Sequence, residues 1–395
     1  MKTAGIICEC NPPHAGHAHL ISEAKRSADC VVCLLSGPFV QRGDAAVLTP
    51  HTRAEILLGM GADLVLELPF PYAASGAETF ASAGVSILSR LGASELWFGS
   101  ECADVSLLSR FAAAADDPAF QARYTERVTA DATAGTAAVW FETLSDFCGL
   151  SAPLSPNDIL GVSYLRAISQ RSKLIPHAIP RVGSNYADDR LPDVGIPSAT
   201  ALRKAIFDGN LQSVYAFFQD FEQKILQAEV DAGRFPLSLD RAASAILSHF
   251  RLCDPASCDE IAELSGGLGR HLQKAALEAN DLPSLLSRAA TKKYPLARLR
   301  RGILFALTGV TRADLSSAPA YVRLLALKRT GSAFLSSVRH ASSIPVVTSN
   351  AGVPSDASSR RQDELSRRAC SLWSLCFPSP VSPAELLRRN PIVIE

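Results

Sequence analysis

The sequence predicts an α/β protein: an N-terminal parallel sheet covered by helices, followed by a mainly α-helical C-terminal part. Three observations carry this. Short apolar runs alternate with helical patterns along the N-terminal part. Three such runs end in loops, with His14, Gly37 and Gly99 each following a strand end. After about residue 210 the pattern changes, and apolar residues recur three and four apart.

Taken in order, residues 4–9, 30–35, 63–68 and 95–98 read as strands, and residues 17–27, 52–60 and 77–91 as the helices between them. Strands that alternate with helices pair in parallel, because the helix is the crossover. Ligands of such open sheets sit beyond the carboxyl ends of the strands. The loops at His14, Gly37 and Gly99 therefore converge on one crevice. Helices follow at residues 211–218, 221–232, 239–250 and 298–307, so the chain divides into 1–210 and 211–395. Residues 350–383 are rich in Ser, Pro and Arg and read as partly mobile.

A chain of 395 residues, 47% of them hydrophobic, has material for more than one core. No apolar stretch approaches the roughly 20 residues that span a bilayer. The N-terminal apolar run is a short strand with no basic region ahead of it, so a cytoplasmic location without membrane attachment is expected. Of the ten cysteines, Cys30 and Cys33 lie on a strand at an odd offset, which sends them to opposite faces. Cys8 and Cys10 have no matching His or Cys pair at zinc-site spacing. Reduced core thiols are the reading.

The chemistry concentrates in Asn11-Pro12-Pro13-His14-Ala15-Gly16-His17, where strand gives way to helix. His14 and His17 are three apart across the first helical turn, so their ring donors can face one side. Gly16 lets a ligand approach the backbone, and the positive helix end suits a phosphate. A second element, Pro197-Ser198-Ala199-Thr200-Ala201-Leu202-Arg203-Lys204, reads as a loop entering a helix. Ser198 and Thr200 are hydroxyl donors or caps there, and Arg203 lies one turn in. Together they suit a nucleoside triphosphate attacked at its α-phosphorus.

The two motifs, H-x-G-H with a distal S-[SA]-T-x-x-R, resemble the HIGH-type nucleotidyltransferase superfamily. Between them stand Ser36-Gly37-Pro38-Phe39-Val40-Gln41-Arg42-Gly43, Gly61-Ala62-Asp63-Leu64-Val65-Leu66-Glu67-Leu68-Pro69, Phe98-Gly99-Ser100-Glu101 and Pro156-Asn157-Asp158-Ile159-Leu160-Gly161. These blocks, with the stretch from Tyr294 to Arg301, Ala320-Tyr321-Val322-Arg323 and Ile344-Pro345, resemble the tRNA(Met) cytidine acetate ligase family over nearly the whole chain. The resemblance implies a Rossmann-like nucleotidyltransferase domain in residues 1–210 and a helical tRNA-binding domain in 211–395. It implies catalytic roles for His14, His17 and Arg203. ATP contacts are implied at Ile7, Cys8, Glu9, Asn11, Pro12, Pro13, His14, Ala15, Gly16, His17, Leu20, Gly99, Asn157, Arg181, Ser198 and Thr200. Three loop residues depart from the family pattern: Cys10, Pro13 and Ala15 stand where tyrosine, phenylalanine and asparagine are usual. Pro13 stiffens the loop and removes an N–H, and the loss of an aromatic weakens contacts to base or ribose.

The implied reaction forms acetyl-adenylate from acetate and ATP, releasing pyrophosphate. The N4 amine of the wobble cytidine of elongator tRNA(Met) then takes the acetyl group and releases AMP. Mg²⁺ would accompany the ATP, and no carboxylate cluster in the sequence marks a protein-held metal. No obligate protein partner is called for. Net charge is zero, yet between Arg288 and Arg339 eleven Lys or Arg face Asp314 alone, which favours a polyanion. Lys292, Lys293, Arg298, Arg300, Arg301, Arg323 and Lys328 are the expected tRNA contacts. Tyr294 and Tyr321 are candidates either for stacking on unpaired bases or for the core. Two other readings stay open on the sequence: an adenylyltransferase forming a dinucleotide-type product, and a tRNA-binding protein without catalysis.

Overall fold

Parallel pairing dominates the one sheet seen in the computed structural model, which describes residues 1–131, 135–149, 154–183 and 188–394. The N-terminal elements are β1 (Thr3–Cys8), α1 (Ala15–Ser27), β2 (Cys30–Ser36), α2 (Pro50–Gly59), β3 (Leu64–Leu68), α3 (Ala77–Leu91), β4 (Glu95–Ser100) and β5 (Ile175–Pro180). They follow the sequence reading within two residues at most ends. β5 lies beyond the strands read from sequence, with an exposed and half-buried pattern that carries no apolar signature.

Strands β6 (Val322–Lys328), β7 (Val346–Val347) and β8 (Ile392–Ile394) return to the same sheet from far along the chain. The order is β5-β4-β1-β2-β3-β6-β7, with β8 also on β6. Only β3 and β6 pair antiparallel. An antiparallel strand added at the side of a parallel sheet is common. β6 escapes sequence reading because Val-Arg-Leu-Leu-Ala-Leu-Lys is made largely of good helix formers inside a basic segment. The reversal of strand order falls at β1, flanked by β4 on one side and β2 on the other, which opens a crevice at the carboxyl end.

Alternation along the central strands fills both faces. Ala4, Ile6, Cys8, Val31, Cys33, Leu35 and Val65 pack with Ile21 of α1 and with Leu57 and Leu58 of α2. Ile7, Val32, Leu34, Leu64 and Leu66 face the other way, onto Phe80, Val85 and Leu88 of α3 and Tyr164 and Leu165 of the helix Pro156–Arg171. Cys30 and Cys33 fall on opposite faces, as their odd offset requires, and all ten cysteines are free thiols. No described helix is long and apolar enough to cross a membrane.

A further core is built mostly from the C-terminal part, among others by Leu237, Phe250, Leu272, Leu285, Ile303, Phe305 and Trp373, with Phe39 and Phe70 of the N-terminal part packed into it. Helices of the C-terminal part include Leu211–Tyr215, Asp220–Asp231, Ala243–Leu252 and Leu296–Thr308. The stretch at residues 350–383, read as partly mobile, instead carries the 17-residue helix Ala357–Trp373. Its Leu365, Ala369, Leu372 and Trp373 are buried in that core. Composition hid this because the outer face is polar and held by ion pairs of Arg361, Arg367 and Arg368 with Asp314, Asp363 and Glu364.

Candidate nucleotide site

β1 ends at Cys8, and the chain turns through Cys10, a non-glycine residue at φ 48°, before α1 begins. His14 is the N-cap of α1, in extended conformation, and His17 is the third helical residue. The two rings make a reciprocal cap. His14 Nδ1 accepts from the Gly16 N–H at 3.1 Å, and His17 Nδ1 accepts from the His14 N–H at 3.2 Å. Two helix-end N–H groups are thereby satisfied without Ser, Thr or Asp.

The cap also fixes the tautomers by assignment: a ring nitrogen that accepts carries no proton, so in both rings the proton sits on Nε2. The ring centroids are 4.1 Å apart, so the two donors work as a pair. Burial depresses the His14 basicity well below its ordinary value, with the charges of His17, Arg181 and Arg203 adding to it. Burial likewise brings His17 down to about 4, against a raising effect from Cys8. Both imidazoles are neutral N–H donors at neutral pH.

Gly16 has a reason beyond the one read in the sequence. A Cβ there would lie 2.8 Å from Cε1 of His14, so the glycine makes room for the capping ring.

The distal motif reaches this loop directly. Ser198 N-caps the helix Ala199–Phe207, accepting from Ala201 N–H at 2.9 Å and donating to the Asp188 carbonyl at 2.5 Å, so its hydroxyl is committed to the cap. Arg203, one turn on, donates through Nη1 to the Asn11 carbonyl at 2.7 Å and through Nη2 to Thr200 Oγ1 at 3.2 Å. The Asn11 side chain in turn accepts from Val47 N–H at 2.8 Å. Residues nearly two hundred apart in sequence thus share one loop.

On the other side, Arg181 follows β5 and lies against Gly99, where an added Cβ would meet its Cγ at 3.3 Å. Glu101 Oε1 accepts from Asn157 Nδ2 at 2.7 Å and faces Arg181 Nε at 3.7 Å, while Glu101 Oε2 accepts from Ser155 Oγ at 2.5 Å. Asp158 holds the base of this group, accepting from Ser100 Oγ and from the Glu101 and Cys102 N–H groups. Burial would raise its carboxyl, but the hydrogen bonds from Ser100 and Ser155 outweigh that and hold it below the usual range. Ile7 and Cys8 close the floor from opposite sheet faces, Leu20 packs beside Cys8, and Pro12 and Pro13 are buried in the loop.

Arg53 was invisible as a site residue in the sequence. Wholly buried, it donates to the carbonyls of Glu9 at 2.6 Å, Gly37 at 2.5 Å and Leu48 at 3.2 Å, tying the ends of β1 and β2 together. Burial lowers its pKa to about 10, which leaves it charged at neutral pH. The one available signal was a charge on the apolar face of α2, four residues before Leu57.

The basic segment divides. Arg298 and Arg301 turn inward to Glu263, with Nε–carboxylate distances of 3.6 and 2.8 Å. Arg288 pairs with Glu278 at 3.0 Å. Tyr294 and Tyr321 are both buried, their hydroxyls donating to the Gly266 carbonyl at 2.8 Å and to Asp363 at 3.3 Å, so both belong to the core and not to a stacking surface. Arg300 reaches toward Asp44 at 4.0 Å. Its helix packs so tightly on the loop that a Cβ on Gly43, at φ 74°, would lie 2.5 Å from the Arg301 nitrogen. Arg323 and Lys328 are on β6, and Lys292 is exposed ahead of the helix, with Lys293 half-buried over the Tyr294 ring. Among the described residues, no group of three or more His, Cys, Asp or Glu is arranged to hold a metal ion.

The description HIGH Nucleotidyl Transferase fits residues 1–385 of this chain as a family model. A tRNA(Met) cytidine acetate ligase of Caldicellulosiruptor saccharolyticus is 35% identical over 86% of the chain and 85% of that protein. One from Acetivibrio thermocellus is 32% identical over 96% of both. Among solved structures, apo Thermotoga maritima TmcAL superposes with a TM-score of 0.92 at 27% identity, covering all of both chains. The same protein bound with alpha-thio ATP gives 0.89, covering 100% of this chain and 99% of that one. With the double-histidine cap, the arginine clamp and these likenesses over nearly its whole length, the chain belongs to the tRNA(Met) cytidine acetate ligase family of HIGH nucleotidyltransferases.

Proposed function

We propose that this protein forms N4-acetylcytidine at the wobble position of elongator tRNA(Met), using acetate and ATP through acetyl-adenylate. The observation that carries this reading is the Arg203 clamp on Asn11, which joins the distal motif to a loop whose two histidines are neutral Nε2–H donors. In the first step an acetate oxygen attacks the α-phosphorus, the bond to the β-phosphate oxygen breaks, and its electron pair leaves with pyrophosphate. Charge grows on the phosphoryl oxygens and the leaving group. His14, His17 and Arg203 supply preorganised donors for that charge, and Asn157 and Arg181 face it from the β4–β5 side. Such catalysis is positioning and electrostatic stabilisation, with no protein nucleophile needed. Ser198 shapes the Arg203 helix end through its cap, and Thr200 steadies the guanidinium.

In the second step the cytidine amine attacks the acetyl carbonyl and AMP departs. Mg²⁺ comes with the ATP and screens the triphosphate. Residues 211–395 carry the tRNA contacts, with exposed Lys292 and half-buried Lys293, Arg300, Arg323 and Lys328 the cations that serve it, and the work is done in the cytoplasm. The family relatives bearing the ligase name weigh against the dinucleotide-forming and non-catalytic readings. The test is incubation with ATP, acetate and tRNA(Met), followed by digestion and weighing of the nucleosides. N4-acetylcytidine that requires both acetate and ATP is the expected product. A dinucleotide, or binding without any product, would replace this reading.

A further inference from the structure

Three buried polar atoms near the ends of β1 and β2 have no hydrogen-bond partner among the described residues: Ser36 Oγ, Gln41 Nε2 and Tyr164 OH. Buried donors are almost always satisfied, so three unpaired near the same strand ends ask for a partner from outside the described residues. Their location is set by the sheet. Cys8 and Leu35 are register partners facing α1 and α2, so Ser36, the next residue, faces the opposite side, where Ile7, Leu34 and Tyr164 pack. Glu9 stands beside it at the end of β1, and Glu9 Oε1 accepts from the Gln41 N–H at 2.7 Å, which places the Gln41 side chain at the same strand end. Arg53 fixes the lateral spacing by donating to both Glu9 and Gly37 carbonyls. Tyr164 lies two turns along from Asn157 on the same helix, and its ring meets Phe98 at 5.6 Å.

The chemistry of the missing partner follows from the donors. An amide Nε2 only donates, and the two hydroxyls are each free to donate. A carboxylate, acceptor-only and with two oxygens, satisfies all three at once. Two carboxylates already stand at this end, Glu9 and, beside Gly37, Glu67, but burial pushes both above their usual range and Arg53 acts on both, with Arg42 and Arg203 also acting on Glu9. The walls include Ile7, Phe98 and the Tyr164 ring, which suit a methyl group. We propose that Ser36, Gln41 and Tyr164 form a subsite for a small monocarboxylate, the one that receives acetate beside the nucleotide. This assignment rests on the reaction proposed above.

Acetate-dependent exchange of pyrophosphate into ATP, without tRNA, reads the first step and yields separate KM values for acetate and ATP. Tyr164→Phe removes one oxygen and keeps the ring. It should raise the acetate KM about tenfold, leave the ATP KM unchanged within about twofold, and leave the melting temperature equal or higher. Ser36→Ala should act in the same direction. Gln41→Glu puts a carboxylate where a carboxylate must bind and should abolish exchange in a folded protein. If Tyr164→Phe and Ser36→Ala both exchange with the wild-type acetate KM, ordered water satisfies these donors and the subsite is wrong, while the reaction stands. If the wild-type protein shows no acetate-dependent exchange at all, the reaction fails and the subsite with it.

Discussion

The nucleotide end and the basic segment offer opposite lessons in how residues become a site. At the nucleotide end the groups are few, and each is fixed by a short-range bond: a histidine capping its own helix, a second histidine closing the cap, an arginine clamping a carbonyl. In the segment from Arg288 to Arg339 the charges are many, and carboxylates outside the segment decide what several of them do. Glu263 takes two arginines out of the surface, while Glu278 pairs with a third, Arg288, that stays exposed. Residue identity is informative where each group of a motif has a bonded role, and charge counts overstate a surface where carboxylates outside the segment neutralise part of it.

The sharpest way to break the first half of this comparison is His17→Ala, which removes both an Nε2–H donor and half of the cap. Acetate-dependent pyrophosphate release should fall by roughly 10²–10³. ATP binding, measured by calorimetry, should weaken less. Unchanged turnover would reduce the double histidine to a helix cap.

The contrast in the basic segment sharpens with Arg301→Ala. Its guanidinium is 15% exposed and bonded to a Glu263 carboxylate that is 20% exposed, so truncation should cost about 2 kcal/mol of stability in denaturant unfolding. The same change at Lys292 should cost nothing measurable. Equal effects at both positions would erase the division between inward and outward charges.

Acid should weaken the nucleotide end selectively. His14 and His17 are held below the 6.5 of a free imidazole, so below that pH the unfolded chain binds protons that the folded one refuses. Stability therefore falls as pH drops from 6.5 toward about 4, and in His17→Ala that fall should be shallower. A pH series of thermal melts comparing the two proteins reads it directly.

The smallest effect expected is on salt dependence. Lys292→Ala with Lys293→Ala should flatten the slope of log binding constant for tRNA against log salt by about two, since each phosphate contact contributes near 0.9. Preference for the cytidine anticodon should persist, because phosphate contacts position and base contacts specify. An unchanged slope would assign these lysines to a solvated helix end.

How much of this was legible follows the same division. Four strands, three helices and both motifs could be read because alternation, periodicity and turn residues are local signals. β6 could not, since its residues favour helix and only pairing with β3 makes them a strand. Arg53 and Glu101 escaped for a related reason: each works through carbonyls or side chains that the fold brings in from other segments. The need of the His14 ring for Gly16 escapes as well, because a histidine ring lying back over its own helix start has no sequence signature. The helix Ala357–Trp373 was hidden by a composition that averages a polar outer face with a buried inner one.

The central claim is that activation belongs to the nucleotide end and that Lys292, Lys293 and Arg300 serve only tRNA. It is tested most directly by one protein, Lys292→Ala with Lys293→Ala and Arg300→Ala, assayed two ways in the same preparation: acetate-dependent exchange of pyrophosphate into ATP without tRNA, and acetylation of tRNA(Met) at limiting tRNA. Exchange at the wild-type rate with acetylation lowered about tenfold or more is the expected result. Loss of both activities together, in a protein that melts at the wild-type temperature, would contradict it.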